Sequence, residues 1–236
     1  MNIDTLLKLQ AEDSRIRLLQ HEYDVVLPAR RADAKKRLKA ARDAVERAEQ
    51  DNLAAIKEYT RFQHDYTASR NQMSNAERRG AMQTNARGVN AATAEYDAAA
   101  ESAARAEENA ERANAARTPT ERRLDAARAY EADEDIAVQK ILETLEARKA
   151  AVKEELAQLQ AVAAEIAKEV EPHLLKLYNR VKLTRWPAVA ELNRSTSVCA
   201  GCDIVQPIAI KQELVAEEKH PTGKLLCCPC CGRILY

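Results

Sequence analysis

Six cysteines carry the chemistry that this sequence can do. Cys199 and Cys202 frame VCAGCD, and Cys227, Cys228, Cys230 and Cys231 fall in LLCCPCCGRILY. A Cys-x-x-Cys unit puts two sulfurs on one tight turn. Two such turns supply four thiolates to one ion, and Zn²⁺ takes four sulfurs at about 2.3 Å in a closed tetrahedron. The first turn is Cys199-Ala200-Gly201-Cys202. The second can be drawn as Cys227 with Cys230 or as Cys228 with Cys231.

Backbone demands favour the latter pair. Pro229 follows Cys228 and fixes φ where the turn begins. Gly232 follows Cys231, where a positive φ lets N–H groups face the sulfurs. The Cys227–Cys230 register has no glycine in the turn. Cys227 then ends a strand, and Cys230 is the exposed middle of the knuckle. Both are extra thiols, able to replace a lost ligand or to oxidise first. The expected site is Cys199, Cys202, Cys228 and Cys231 around one structural Zn²⁺. A closed site leaves no position for water and no route to hydrolysis. His220, in EEKHPTGK, is read as a bystander in a loop between strands.

The ligands need a scaffold, and composition says which kind. The chain has 236 residues, 31% of them charged, with 37 Lys+Arg against 37 Asp+Glu. A formal charge of zero supplies no global field for nucleic acid. Aromatics are only 4% and glycines five, whereas alanine with Glu, Arg and Lys is the composition of long helices and coiled coils. No segment has the ~18–20 consecutive apolar residues that span a bilayer, and MNIDTLLKLQAEDSRIRLL lacks the basic start of a signal peptide. The expected location is the cytoplasm, where thiols stay reduced and paired Cys-x-x-Cys units bind metal before they form disulfides.

Heptads fill residues 3 to 177. Leu9, Ile16 and Tyr23 form one row, while Asp13 and Gln20 interrupt the other between Leu6 and Leu27. Pro28 predicts an end or a kink of the helix. From Leu38 one row is Leu38, Val45, Asn52, Tyr59, Tyr66, Met73; the interleaved row runs from Ala41 to Ala76 through Phe62 and Ser69. Asn52 is a polar seam residue suited to fixing register. Gly80 and Gly88 mark a reversal at about 80–90. Helix resumes with Tyr96, Ala103, Ala110 and Ala99, Ala106, Ala113. Thr118-Pro119, with Glu121 beyond, predicts a kink or a new N-terminus. Val138 to Ile166 and Leu142 to Leu177 complete the seam, with Lys149 as an exception. Heptads alone do not say which chain supplies the partner helix, so a parallel intermolecular pairing stays open. Folded back on itself, the chain pairs Leu38 with about Ile136, and the arm from Pro28 to the tip is about 80 Å long.

The fold expected is therefore mainly α: a long kinked antiparallel coiled-coil hairpin over 1–185, then a small β zinc ribbon over 186–236. In the latter, Val189–Leu192, Ile204-Val205 and Ile208–Ile210 read as short strands or irregular links. Such a short unit needs a staple, which the metal provides.

Candidate partner contacts are the tip arginines Arg70, Arg78, Arg79 and Arg87, and Arg233 in the head. They suit an acidic partner or an RNA backbone. No aromatic residues interleave them to stack bases. Arg233 with Ile234, Leu235 and Tyr236 also reads as a seal between the head and the helical arm. From Trp186 onward five basic residues face five acidic ones, so counting gives no basic face. No nucleophile–base pair or phosphate loop is visible.

The sequence resembles the bacterial C4-type zinc-ribbon proteins that carry an N-terminal antiparallel coiled-coil hairpin. LQAEDSRI resembles their Leu-Gln-x-x-Asp-x-x-Ile opening, and Leu27-Pro28 their Leu-Pro break. Leu174-Leu175-x-x-Tyr178 with Arg180 resembles the segment before the ribbon. VCAGC is similar to the first knuckle, and CPCCGRILY to the Cys-Pro-x-Cys-Gly-Arg-Ile-Leu-Tyr ending, which selects Cys228 and Cys231 independently. The tip keeps Thr84-Asn85 but lacks the acid and the aromatic of the Thr-Asn-x-Glu-Tyr stretch. The resemblance implies a non-enzymatic adaptor without a small-molecule substrate. The partners it implies are the enhancer-dependent alternative sigma factor, flagellar or type III secretion components, or, as the alternative, nucleic acid.

Overall fold

The computed structural model describes residues 3–220 and 224–236. Its elements are α1 (Ile3–His21), α2 (Leu27–Ala81), α3 (Ala86–Lys168), α4 (Pro172–Thr184), β1 (Val189–Ala190), α5 (Ile208–Lys219), β2 (Leu226–Cys227) and β3 (Ile234–Leu235). A long helical hairpin thus precedes a small three-stranded sheet. By contacts the chain groups into two compact units, one of residues 31–143 and one of residues 1–30 with 144–236.

The 31–143 unit is the antiparallel hairpin, closed within the chain. Its seam is built from small residues. Ala41, Ser69 and Ala76 of α2 are buried, as are Ala99, Ala103, Ala106 and Ala110 of α3. Cross-pairs fix the register: Arg37 with Glu134 at 2.8 Å, Arg42 with Asp135 at 3.3 Å, and Arg128 with Glu49 at 2.8 Å. The basic stretch after Pro28 is therefore spent partly on the facing helix. Asn52 does meet a partner across the seam, accepting a hydrogen bond from Thr120 Oγ1 at 3.1 Å. The reversal occupies 82–85, with Gly80 and Gly88 just inside the two helices. Asn85 caps α3, its Oδ1 accepting the Gly88 N–H at 2.7 Å.

Neither of the two prolines ends its helix. α3 runs through Pro119 without interruption. The seam continues on both sides, with Ala113 and Leu124 buried, and that burial outweighs the one backbone bond the proline deletes. Thr120 Oγ1 also lies 2.7 Å from the Arg117 carbonyl within this turn, so its single proton is shared between that carbonyl and Asn52. At Pro28 the helical path also continues, through a π-helical turn at Glu22–Val26. A wider turn accommodates the missing donor without ending the helix. The break falls instead at Lys168–Pro172, where Pro172 opens α4.

The second unit packs α1, α4 and the end of α3 around Leu6, Leu9, Ile16, Val170, Leu174 and Tyr178. Lys149, the exception in the heptads, lies over the Tyr23 ring at 5.3 Å. Arg148 grips Glu22 with a two-pronged pair at 2.8 and 2.9 Å. That bond holds the Glu22 carboxyl below its usual range.

The sheet has order β1-β3-β2, with β1–β3 parallel and β2–β3 antiparallel. Alternation along its strands separates two cores. Val189 and Ile234 join the helical core and Cys227 packs against it, while Ala190, Leu226 and Leu235 join the core behind the cysteines. Gln10 of α1 binds β1 as another strand would: Nε2 donates to the Val189 carbonyl at 3.0 Å, and Oε1 accepts the Val189 N–H at 2.6 Å.

Candidate metal centre

The head is held by two knuckles of the same construction. Cys199 N–H donates to the Ile204 carbonyl at 3.1 Å, and Cys228 N–H to the Arg233 carbonyl at 2.8 Å. Inside each loop the residue after the second cysteine donates back to the first. Asp203 N–H reaches the Cys199 carbonyl at 2.8 Å, and Gly232 N–H the Cys228 carbonyl at 2.7 Å. Those two residues share the left-handed conformation, with φ of 57° for Asp203 and 74° for Gly232. The positive φ expected at Gly232 is present. Asp203 shows that the first knuckle makes the same demand and meets it with one of the few other residues that tolerate it.

This matching predicts a graded result. Gly232→Ala meets no atom within 4 Å, so its cost is conformational, about 1–2 kcal/mol. Gly232→Asn should cost less. If metal retention is measured against a competing chelator, the alanine variant should lose about tenfold and the asparagine variant clearly less. Equal retention by all three would remove the conformational argument.

The loops bring Cys199, Cys202, Cys228 and Cys231 together, all four Sγ atoms lying within 4.8 Å of one another. Cys199 and Cys231 are 3.9 Å apart and Cys202 and Cys228 3.8 Å. A regular tetrahedron with metal–sulfur bonds of about 2.3 Å has edges of about 3.8 Å, so the set fits a tetrahedral ion. Backbone donors serve the sulfurs, as Gly201 N–H approaches Cys199 Sγ at 3.4 Å. Burial pushes the Cys199 thiol up to about 12. Burial also acts on Cys231, but the Arg233 N–H and the neighbouring thiols outweigh it and lower that group to about 6. Four thiolates this close repel one another, and a bound cation is what lets all of them ionise.

The remaining cysteines lie where their register places them. Cys227 is half-buried in β2, its thiol pushed up by burial. Cys230 is exposed, with the Gln206 amide 3.9 Å from its sulfur. His220 caps α5 and is outside the cysteine cluster. The loop expected around it lies partly outside the described residues.

One reading needs correction. Ile208–Ile210 is not a strand but the first turn of α5. Pro207 precedes it, and Lys-Gln-Glu-Leu-Val-Ala-Glu-Glu beyond it is rich in helix formers; Leu214 is buried behind the cysteines. Arg233, half-exposed, is tied to the link from α4. Its Nε donates to the Pro187 carbonyl at 2.9 Å and Nη2 to the Trp186 carbonyl at 3.0 Å. The side chain lies across Gly201, where a Cβ would collide with Arg233 Cδ and sit 3.2 Å from Ala190 Cβ. Gly201 is thus required by close approach, and Arg233 braces the first knuckle against the link from α4. The tip arginines Arg70, Arg78, Arg79 and Arg87 are all exposed, and Arg79 pairs with Glu95.

The heptads mark one further group only as an irregularity. Asp13 is buried, accepting from Tyr178 Oη at 2.7 Å and from Lys182 Nζ at 2.5 Å. Burial first, and then Asp13, push the Tyr178 hydroxyl pKa upward, so it stays a donor. An acid at a seam position was the signal, and its partners lie about 165 residues on.

No protein-family profile matches the sequence, and no curated protein matches it. Solved structures do. The chain is similar to CT398 from Chlamydia trachomatis, at 20% identity with a TM-score of 0.79, over 99% of this chain and 96% of that one. HP0958 from Helicobacter pylori is similar at 17% identity with a TM-score of 0.57, over 99% and 96%. A protein from Mycobacterium smegmatis is similar at 14% identity with a TM-score of 0.73, over 98% and 95%. At these identities the likeness establishes one fold shared along essentially the whole chain.

Proposed function

We propose that the chain is a non-enzymatic adaptor that binds protein partners through its helical hairpin, with a head held closed by one Zn²⁺. The observation that carries this reading is the closed set of four thiolates, buried or half-buried, backed by a core. Tetrahedral all-sulfur sites suit zinc, and a full ligand set leaves no place for a substrate or a reactive water. The metal then supplies only folding energy. The hairpin offers the larger surface, with Leu53, Ile56, Tyr130 and Ile136 exposed along it. Among the described residues no helix is long and apolar enough to cross a membrane. By resemblance, an alternative sigma factor or secretion components are the partners to test first.

Metal analysis should give one zinc per chain. A chelator should disorder the head and leave most of the helical signal, because no head residue contributes to the 31–143 unit. Trp186 is the sole tryptophan. It lies beside the Arg17 guanidinium at 4.5 Å, and its carbonyl is held by Arg233. Its fluorescence should therefore change as zinc leaves, and loss of most far-ultraviolet helix signal would contradict this arrangement.

Affinity capture with the full chain as bait tests the adaptor role. Salt-tolerant retention of a defined protein supports it. Retention of RNA or DNA alone, falling steeply with salt, replaces it with nucleic-acid binding.

A further inference from the structure

We propose that the cleft between α1, α4 and the end of α3 is a binding site for a small organic monocarboxylate with a short apolar body. This goes beyond the adaptor reading and does not depend on it. Asp13 and Gln20 are the two polar residues that interrupt a heptad row of α1. Both line this cleft, whose volume is about 430 Å³. Small-molecule sites usually enclose about 300–1,000 Å³. Each helix turns one face to it. Asp13, Arg17 and Gln20 recur at helical spacing on α1, as do Leu175, Asn179 and Lys182 on α4. On α3 the facing residues Ala163, Ala164 and Ala167 are small and leave the space open. Leu9, Ile16 and Leu175 supply the apolar surface on which a hydrocarbon body can lie.

Charge selects the ligand's head. The charged groups lining the cleft are Asp13, Arg17 and Lys182. Asp13 is buried and both its oxygens are engaged, Oδ2 by Tyr178 and Oδ1 by Lys182. Lys182 is partly exposed and keeps protons free for a ligand. Arg17 lies over the Trp186 ring at 4.5 Å, and none of the described hydrogen bonds or ion pairs uses its N–H groups. Its charge acts on the Tyr178 hydroxyl, which sets it beside the same cluster. The amides of Gln20, Gln160 and Asn179 line the cleft as well, and no described hydrogen bond engages them. Two cations against one carboxylate leave a single positive charge. A monoanion neutralises it, whereas a phosphate monoester brings a second negative charge up to Asp13 and an amine meets two like charges. Stacking on Trp186 holds the guanidinium ready for a two-pronged carboxylate bond.

The test uses the full zinc-loaded chain with hexanoate as the probe. Binding is followed by equilibrium dialysis and by Trp186 fluorescence, since a carboxylate on Arg17 acts directly on the stacked ring. Hexanoate should bind about tenfold tighter than hexanamide, which has the same body without the charge, and about tenfold tighter than acetate, which lacks the body. Hexyl phosphate and hexylammonium should both bind more weakly than hexanoate. Arg17→Gln should weaken hexanoate about tenfold in dialysis and remove its advantage over hexanamide. Asn179→Asp should weaken hexanoate and favour hexylammonium. Ala164→Leu fills the cleft and should weaken hexanoate and hexanamide alike. Arg17, Asn179 and Ala164 are exposed, so the fold is kept, and an unchanged far-ultraviolet helix signal checks this. Absence of hexanoate binding, equal binding of hexanoate and hexanamide, tighter binding of hexyl phosphate, or hexanoate binding that the three variants leave unchanged would each overturn the proposal.

Discussion

Cys228→Ser and Cys231→Ser should each release the metal and unfold the head, whereas Cys227→Ser and Cys230→Ser should keep both. The difference follows from which face of a turn or strand each sulfur occupies. Cys228 and Cys231 point into the cluster with Cys199 and Cys202. Serine there is a poor ligand, and three thiolates would have to complete the site with water. The apparent folding energy of structural zinc in small finger peptides is about 10–16 kcal/mol, far more than the core behind this site can replace. Cys227 precedes Cys228 in the chain, so its side chain leaves the sheet on the opposite face and packs against the helical core. Its replacement costs packing, about 1 kcal/mol, and no metal. Cys230 is exposed in the middle of the knuckle. Metal content with Trp186 fluorescence reads both effects. Equal zinc loss across all four variants would mean that the two overlapping pairs share the ion, and the register argument would fall.

That register could be read in advance because its determinants are local. A proline and a glycine at fixed offsets decide a turn regardless of what surrounds it, and Gly232 has the φ it was expected to have. The hairpin was legible for a related reason. A seam of alanines at heptad spacing has to be covered, and with only a few residues free for the reversal the covering helix is the next one. Failures came where local preference met a long-range gain. Pro119 and Pro28 each argue for a kink or a break, and neither ends its helix, because buried seam residues continue past both and one missing backbone bond is the smaller quantity. At α5 the error was one of length: Ile208-Ala209-Ile210 resembles a strand until the helix formers after Val205-Gln206-Pro207 are included. Composition places the division at 185/186, and packing runs across it. Val189 and Ile234 are part of the same core as α1 and α4. A sheet of two-residue strands can cover only one face with the small core behind the cysteines, and its other face packs on the helical core. Asp203 escaped notice because aspartate carries no glycine signal, though its place after the second cysteine is the place of Gly232.

Asp13→Ala should destabilise the 1–30/144–236 unit by about 2–4 kcal/mol. Asp13 occupies a seam position between Leu6 and Gln20, where an apolar residue would ordinarily sit. It is tolerated because Tyr178 and Lys182 both bond to its carboxylate. Removing the carboxylate strands the Tyr178 hydroxyl, on a side chain with no exposure at all, and a buried donor without an acceptor costs about 1–3 kcal/mol. Lys182 suffers less, since a third of its side chain is exposed and water can take it. Asp13→Asn, which keeps an acceptor for Tyr178, should cost less than alanine. Tyr178→Phe should cost about 1.5–3 kcal/mol, the worth of a hydrogen bond to a charged group. Replacing all three together, as Asp13→Leu, Tyr178→Phe and Lys182→Met, should recover most of the loss, because a fully apolar seam strands nothing. Denaturant unfolding followed by Trp186 fluorescence reports this unit, as Arg17 one turn beyond Asp13 lies against the Trp186 ring. An alanine variant as stable as the natural chain would mean that the cluster is paid for by the helices around it and fixes nothing. A triple variant that folds but no longer aligns α1 with β1, seen as faster exchange of the Val189 amide that Gln10 now binds, would mean that the acid is kept for position rather than for stability.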